Sequence, residues 1–270
     1  MSPTLTLRSG DAVVQVDPEV GGRLVSWRVD ELELLGGLSR VPEEYGCYPM
    51  APWPGRLRGN RVAVDGASHD LLPTYGPWAM HGTVLASAWT IVDVTETGVC
   101  LSTGLGAAWP WPGEVTLSWQ LESEALRSEL MVSSDDASFP ADMGWHPWFR
   151  RRLGRGGDLV WHAEAAAMPE RGDDLLPTGR RVDPWAVSGP HDDAFEVPNG
   201  RVELHWPGVI SVTCQSDARW MVVFDEPDDL ICVEPQTGPP DGLNVTTWVR
   251  PGFPKRASVT WSWVRPSRSR

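Results

Sequence analysis

The 270-residue chain predicts an all-β protein, an antiparallel sandwich or barrel, on three observations. Short runs in which apolar and polar residues alternate with a period of two recur from end to end, as half-buried strands require. No segment keeps a 3.6-residue apolar period over three turns. The 27 glycines and 25 prolines cut the chain into pieces of strand length at close spacing.

Taken in chain order, strands are expected over 11–16, 23–29, 61–64, 89–94 and 98–103. The run VTLSWQL (115–121) sets Val115, Leu117, Trp119 and Leu121 on one face and Thr116, Ser118 and Gln120 on the other. Runs over 125–132 and 158–163 follow. VELHW (202–206) and ISVTC (210–214) flank a Pro-Gly step and form a hairpin signal. The last strands fall over 220–224, 229–234 and 258–264, the final one stacking Val259, Trp261 and Trp263 on one side. Between these runs, Pro147 biases His146 toward an extended backbone, so MGWHPWF (143–149) reads as a strand or its end, with Trp145 and Trp148 on opposite sides. The Gly-rich RRLGRGGD (151–158) has strand-like flanks and reads as a loop inside one domain covering 1–270, and the terminal RPSRSR reads as a frayed end.

Composition narrows the function. With 23 basic and 36 acidic residues the formal charge is −13, and no basic stripe offsets it, so no nucleic acid is expected as partner. No apolar run reaches spanning length and the N-terminal residues do not form a secretory signal, so no membrane and a cytoplasmic location are expected. Cys47, Cys100, Cys214 and Cys232 are scattered without a C-x-x-C pair, against both a zinc knuckle and a disulfide scaffold. Sixteen tryptophans suit packing on the apolar face of a sugar ring, although a large β core uses the same residue as filler.

Four turn-rich stretches carry polar groups at strand ends: WPGRLRGNR (53–61), WAMHGTVLASAW (78–89), MGWHPWF (143–149) and DLICVEPQTGPPDGLN (229–244). His146, set among aromatic residues, reads either as a core histidine or as a proton donor in an aromatic-walled pocket. Glu234 closes an apolar strand and is fixed by Pro235, an awkward place for a merely solubilising charge. A Glu and a His facing one pocket can divide base and acid roles. No G-x-S-x-G elbow, Walker loop or G-x-G-x-x-G loop is present. His81, His146 and Glu234 are metal-ligand types but lack H-x-H or H-E-x-x-H spacing, so no metal is expected. HDDAFE (191–196), considered alone, reads as a solvated loop.

In order along the chain, these stretches resemble the aldose 1-epimerase (galactose mutarotase) family from about residue 20 to residue 262. PWPGRLRGNRVAVDG is similar to that family's P-x-N-R-[IL] followed by D-G, with Arg56 and Asp65-Gly66 at the family spacing. His81-Gly82 with Trp89, Gly144 through Phe149, Asp192 to Phe195 and EPQTGPPDGLN (234–244) match the later motifs. The resemblance implies a large antiparallel β-sandwich of the galactose-mutarotase type and interconversion of the anomers of a free aldose. It implies His146 as general acid, Glu234 as general base, and Arg56, His81 and Asp192 as sugar-binding groups, with no cofactor and a small-molecule sugar as partner. Two positions depart: Gly55 replaces the family asparagine, which Asn60 is placed to offset, and Leu85 stands where part of the family has arginine.

Two alternatives accompany this expectation. A hexose-phosphate 1-epimerase would need cations over the phosphate, with Arg58, Arg61, Arg151, Arg152 and Arg155 as candidates. A non-catalytic sugar-binding module would keep the pocket without rate enhancement. A glycosidase, which needs two flanking carboxylates, is weaker because only Glu234 has a clear pocket position.

Overall fold

A computed structural model describes residues 4–37 and 41–266 of the protein, so residues 267–270 of the expected frayed tail lie outside the described residues. Two large antiparallel sheets dominate. A nine-stranded sheet runs in the order Leu5–Ser9, Ala12–Asp17, Arg23–Val29, Cys47–Met50, Gly144–Arg150, Leu230–Gln236, Trp220–Phe224 and Asp192–Glu196, with Leu32–Glu33 paired to the third strand. An eight-stranded sheet runs Val160–Ala163, Arg201–Trp206, Ile210–Ser216, Lys255–Val264, Ala125–Ser133, Glu114–Leu121, Gly98–Gly104 and Thr90–Val94. The only helical pieces among the described residues are four three-residue 3₁₀ turns.

The sequence alternation becomes burial alternation. In Glu114–Leu121 the residues Val115, Leu117, Trp119 and Leu121 are buried while their neighbours are not. The hairpin at Pro207-Gly208 forms as expected, pairing Trp206 with Ile210. Facing apolar rows interlock between the sheets, where ring centroids of Trp27 and Trp145 lie 6.0 and 6.4 Å from that of Trp261. Phe149 lies 6.1 Å from Trp206 in the same layer. Each such side chain removed from water contributes about 2–3 kcal/mol. Most of the tryptophans are therefore core material, and Trp148 alone of them lines the pocket described below.

Where the core contacts are made by one face of the nine-stranded sheet, the opposite face carries the polar groups. Its central strands are buried on both sides, which erases the alternation: Gly144–Arg150 is buried at six of seven positions. HDDAFE is not a solvated loop, because Asp192–Glu196 is a strand paired with Trp220–Phe224. Its acids tolerate that position because arginines lie within ion-pair distance of both.

Candidate active site

Strand register assembles the site. Gly144 pairs with Gln236 and Trp148 with Cys232, which puts His146 opposite Glu234. His146 also pairs with Tyr48, Glu234 with Val222, and Val222 with Ala194, so Tyr48, His146, Glu234, Val222 and Ala194 form one row across five strands. Two residues along, Trp148, Cys232, Phe224 and Asp192 form the next row on the same face. Three site residues, Tyr48, His146 and Glu234, are each followed by proline, which holds them extended and turns them squarely out of the sheet. Proline gives up a ladder donor and is normally kept out of central strands. Here it sits in three of them.

Apart from the fully buried Cys232, the residues of these rows form the floor of a pocket of about 570 Å³, also lined by Arg56, His81, Arg171 and Asp193. That volume lies within the roughly 300–1,000 Å³ of small-molecule sites. His146 Nε2 lies 3.2 Å from Glu234 Oε1, and both side chains are almost fully buried. Gln236 Nε2 donates to Glu234 Oε2 at 2.9 Å, fixing the carboxyl from its other side. The His146 ring is stacked between Tyr48 (centroids 4.7 Å, planes 21° apart) and Trp148 (5.2 Å, 28°). Tyr48 Oη and Trp148 Nε1 both donate to the Glu43 carbonyl, at 3.1 and 3.0 Å. Arg23, fully buried, donates to the carbonyls of Pro42 and Tyr45 and so anchors the turn that carries this acceptor.

Burial sets the electrostatics of the pair. Desolvation holds the His146 imidazole well below its ordinary value, helped by His81. Desolvation likewise pushes the Glu234 carboxyl well up, with Asp192 adding to it and Gln236 and Arg56 opposing. Although the distance is that of an ion pair, both directions favour an uncharged acid and imidazole, since moving two charges out of water costs more than one contact returns. His81 is pushed down to about 3 by burial, then by Arg56, and is neutral. Its Nδ1 accepts from the Gly55 N–H at 3.2 Å, which leaves Nε2 as a hydrogen-bond donor. His81 adopts φ 60° and Gly82 φ 79°, and a Cβ on Gly82 would stand 1.9 Å from the Ala51 carbonyl oxygen. The H-G step is thus dictated by a close backbone approach.

The expected residues Arg56, His81, His146, Asp192 and Glu234 all line this one pocket. Arg56 Nη2 lies 3.1 Å from Asp192 Oδ2. The offset expected from Asn60 does not occur, because its side chain bonds Pro77 O and Ala79 N and holds that loop instead. Gly55 has φ 66°, a left-handed conformation that asparagine and glycine share, so the departure keeps the backbone and loses only the amide. Leu85 is buried beside Tyr48, Met50 and Trp148. Arg58, Arg61, Arg151 and Arg152 are spent on acids or carbonyls, and neither they nor Arg155 line the pocket. Sequence reasoning missed Tyr48, Gln236 and Arg171. The period of two from Glu234 points to Gln236. Arg171, 3.1 Å from Asp193 and 3.6 Å from Asp192, comes from an exposed polar hairpin that carried no signal.

Motif residues outside the pocket brace it. Thr237 Oγ1 donates to buried Asp142 and accepts from Met143 N, while Asp241 accepts from Arg58 N and Asn244 from Ala63 N. These bonds tie the loop after Glu234 to the chain around His146 and Arg56.

Two packed antiparallel sheets, with a His–Glu pair on one sheet face beside Arg, His and Asp, define a protein of the galactose-mutarotase-like sandwich class. The chain belongs to the aldose 1-epimerase family, whose model matches residues 3–260. The uncharacterized protein YphB of Escherichia coli K12 is 28% identical over 153 residues, which is 53% of this chain and 51% of that protein. The chain thus spans about half the length of that curated relative. Among solved structures, a galactose mutarotase-like protein from Clostridium acetobutylicum superposes with TM-score 0.85 at 16% identity, over 97% of this chain and 95% of that one. A galactose 1-epimerase from Lactobacillus acidophilus gives 0.80 at 16% identity, over 97% and 94%. The GalM/aldose epimerase homologue from C. elegans gives 0.82 at 13%, over 98% and 99%. At these identities the likeness is one of fold.

Proposed function

We propose that the protein is a mutarotase that interconverts the α and β anomers of a free aldose. The observation that carries this is the buried His146–Glu234 contact at 3.2 Å inside a pocket that also holds Arg56, His81 and Asp192. Glu234 as carboxylate accepts the proton of the C1 hydroxyl while His146 gives its Nε2 proton to the ring oxygen, and the hemiacetal opens. Rotation about C1–C2 presents the other aldehyde face, and the reverse transfers close the opposite anomer. The reactive form is the minor one in which the acid proton has passed from Glu234 to His146 Nε2, and both transfers return the pair to the uncharged arrangement that burial favours. Arg56 supports the carboxylate form, and the Nε2–H of neutral His81 is available to a sugar oxygen. Asp192, oriented by Arg56, accepts from ring hydroxyls.

A neutral sugar fits better than a phosphorylated one. Glu43, Glu44, Asp192 and Asp193 line the pocket against Arg56 and Arg171 only, a balance that repels a phosphate dianion. Anomer exchange followed by polarimetry or saturation-transfer NMR in low-phosphate buffer tests the reading. Freshly dissolved α-glucose, α-galactose, xylose and arabinose are compared with glucose 6-phosphate. Acceleration on a free sugar is expected, and acceleration on the phosphate alone, or tight sugar binding without acceleration, overturns it.

A further inference from the structure

The reaction proposed above leaves one buried group of the site unused. Cys232 stands two residues before Glu234 on the same strand face, and its row neighbour Trp148 stands two residues after His146. One donor atom each from His146, Cys232 and Glu234 lies within 4.8 Å of the others. Donors around tetrahedral zinc lie about 2.0–2.3 Å from the ion and hence roughly 3.5 Å from each other. The His146–Glu234 distance of 3.2 Å already fits, and the sulfur, within 4.8 Å of both, must come closer by up to about 1.3 Å.

We propose that His146, Cys232 and Glu234 form a binding site for a thiophilic divalent cation such as Zn²⁺, and that its occupancy shuts off the acid–base pair. The thiolate selects zinc-like ions over Mg²⁺ and Ca²⁺. Charge balances: one thiolate, one carboxylate and a neutral imidazole cancel the dication. Ligation displaces the thiol and carboxyl protons to solvent. The His146 ring is free to ligate as well. Its buried Nδ1 has no hydrogen-bond partner among the described residues, so the proton can sit there and leave the Nε2 lone pair for the ion. His146 and Glu234 line the pocket while Cys232 lies fully buried beneath it, so a water completing the set would enter from the pocket side. Inhibition follows because the cation occupies the same Nε2 and carboxylate oxygen that move protons, and this half of the proposal rests on the mutarotase reading.

The test titrates Co²⁺ into the reduced, metal-free protein and follows thiolate-to-cobalt charge-transfer absorption, with Zn²⁺ as competitor. Wild type is expected to show the band and lose it to Zn²⁺. Cys232→Ser is expected to abolish it, and Glu234→Gln to weaken Co²⁺ by more than the roughly 10–100-fold typical of an outer-shell loss. Cys100→Ser, at the half-buried cysteine, keeps the band. Thermal melts establish that each variant is folded, and the Glu234→Gln arm decides if Cys232→Ser is not. No band in wild type, or a band surviving both site variants, overturns the site. Stoichiometric Zn²⁺ should return anomer exchange to the buffer rate, with recovery on chelation, and unaltered exchange in the zinc-loaded protein overturns the inhibition. If metal-free wild type shows no anomer exchange at all, the mutarotase reading fails while the cobalt spectrum still decides the site.

Discussion

Replacing Glu234 by glutamine changes the chemistry of the pair while keeping its shape. The amide oxygen still accepts from Gln236, now at the same 2.9 Å geometry, and the amide N–H₂ faces His146 Nε2 in place of the acid proton. Loss of a positioned base lowers the rate by about 10²–10⁴, or roughly 3–5 kcal/mol in the barrier. Stability moves the other way. The folded-state carboxyl is held protonated by burial, so between the ordinary glutamate pKa and its raised folded value the unfolded chain releases a proton that the folded chain keeps. Across that window wild type loses stability as pH rises, by up to about 1.4 kcal/mol per pH unit, and Glu234→Gln has no such slope. Urea unfolding of both proteins at pH 5, 6 and 7 reads the difference directly. The His146 contribution, lost as pH falls because its pKa is depressed, is common to both and drops out. The expected result is a variant that is nearly inactive yet gains on wild type as pH rises. Parallel profiles, with the variant less stable at every pH, would mean that the pair is a stabilising ion pair, and the argument from burial would be wrong.

Arg171→Met should raise KM roughly tenfold, equal to about 1.4 kcal/mol, with kcat within twofold, because Arg171 touches Asp192 and Asp193 and not the reacting pair. Steady-state anomer exchange checks this, with Arg171→Lys recovering part of the loss, and a fall in kcat alone would count against a binding role. Gly82→Ala should cost at least about 2–4 kcal/mol, since the new Cβ meets the Ala51 carbonyl oxygen at 1.9 Å, and a melt like wild type's would refute the close approach. Gly55→Asn should fold normally, because asparagine accepts the left-handed backbone and the nearest atom to its Cβ is 3.5 Å away at Pro240. Restoring the amide is expected to lower KM a few-fold for at least one aldose, and unchanged KM across all four sugars would dismiss Gly55 as a specificity position.

The sandwich was legible because its outer sheet alternates cleanly, as in Glu114–Leu121 and Lys255–Val264. The strands that build the site were harder to see for a physical reason. Cys47–Met50, where no strand is expected, is buried at all four positions, so period two disappears and its proline argues against a central strand. For Leu230–Gln236 a strand is expected over 229–234, and only its continuation through Pro235 is missed. Asp192–Glu196 opens with two acids whose neutralising arginines are distant in sequence. The spacing of His146 and Glu234 says nothing of their meeting; the register of Gly144 with Gln236 does that. Their motifs nonetheless marked the pair, because the proline after each residue is part of how the pocket is made.

That recurring proline divides the protein into parts that can change and parts that cannot. The floor under Tyr48, His146 and Glu234 is fixed by backbone restriction and by the packed sheet behind it, so it gives a substrate little opportunity to reshape it. The rim is built differently, from the 3₁₀ turn Pro42–Glu44, the loop around His81 and the hairpin of Met168–Arg171 with Pro177–Val182. On the proposed mutarotase reading, mutational drift in the rim would retune which hydroxyl pattern is admitted without disturbing proton transfer below. For protein engineering, residues 172–182 are the part of this hairpin open to replacement, while Arg171, the partner of Asp192 and Asp193, and the three X-Pro steps of the floor belong among the positions a library leaves untouched.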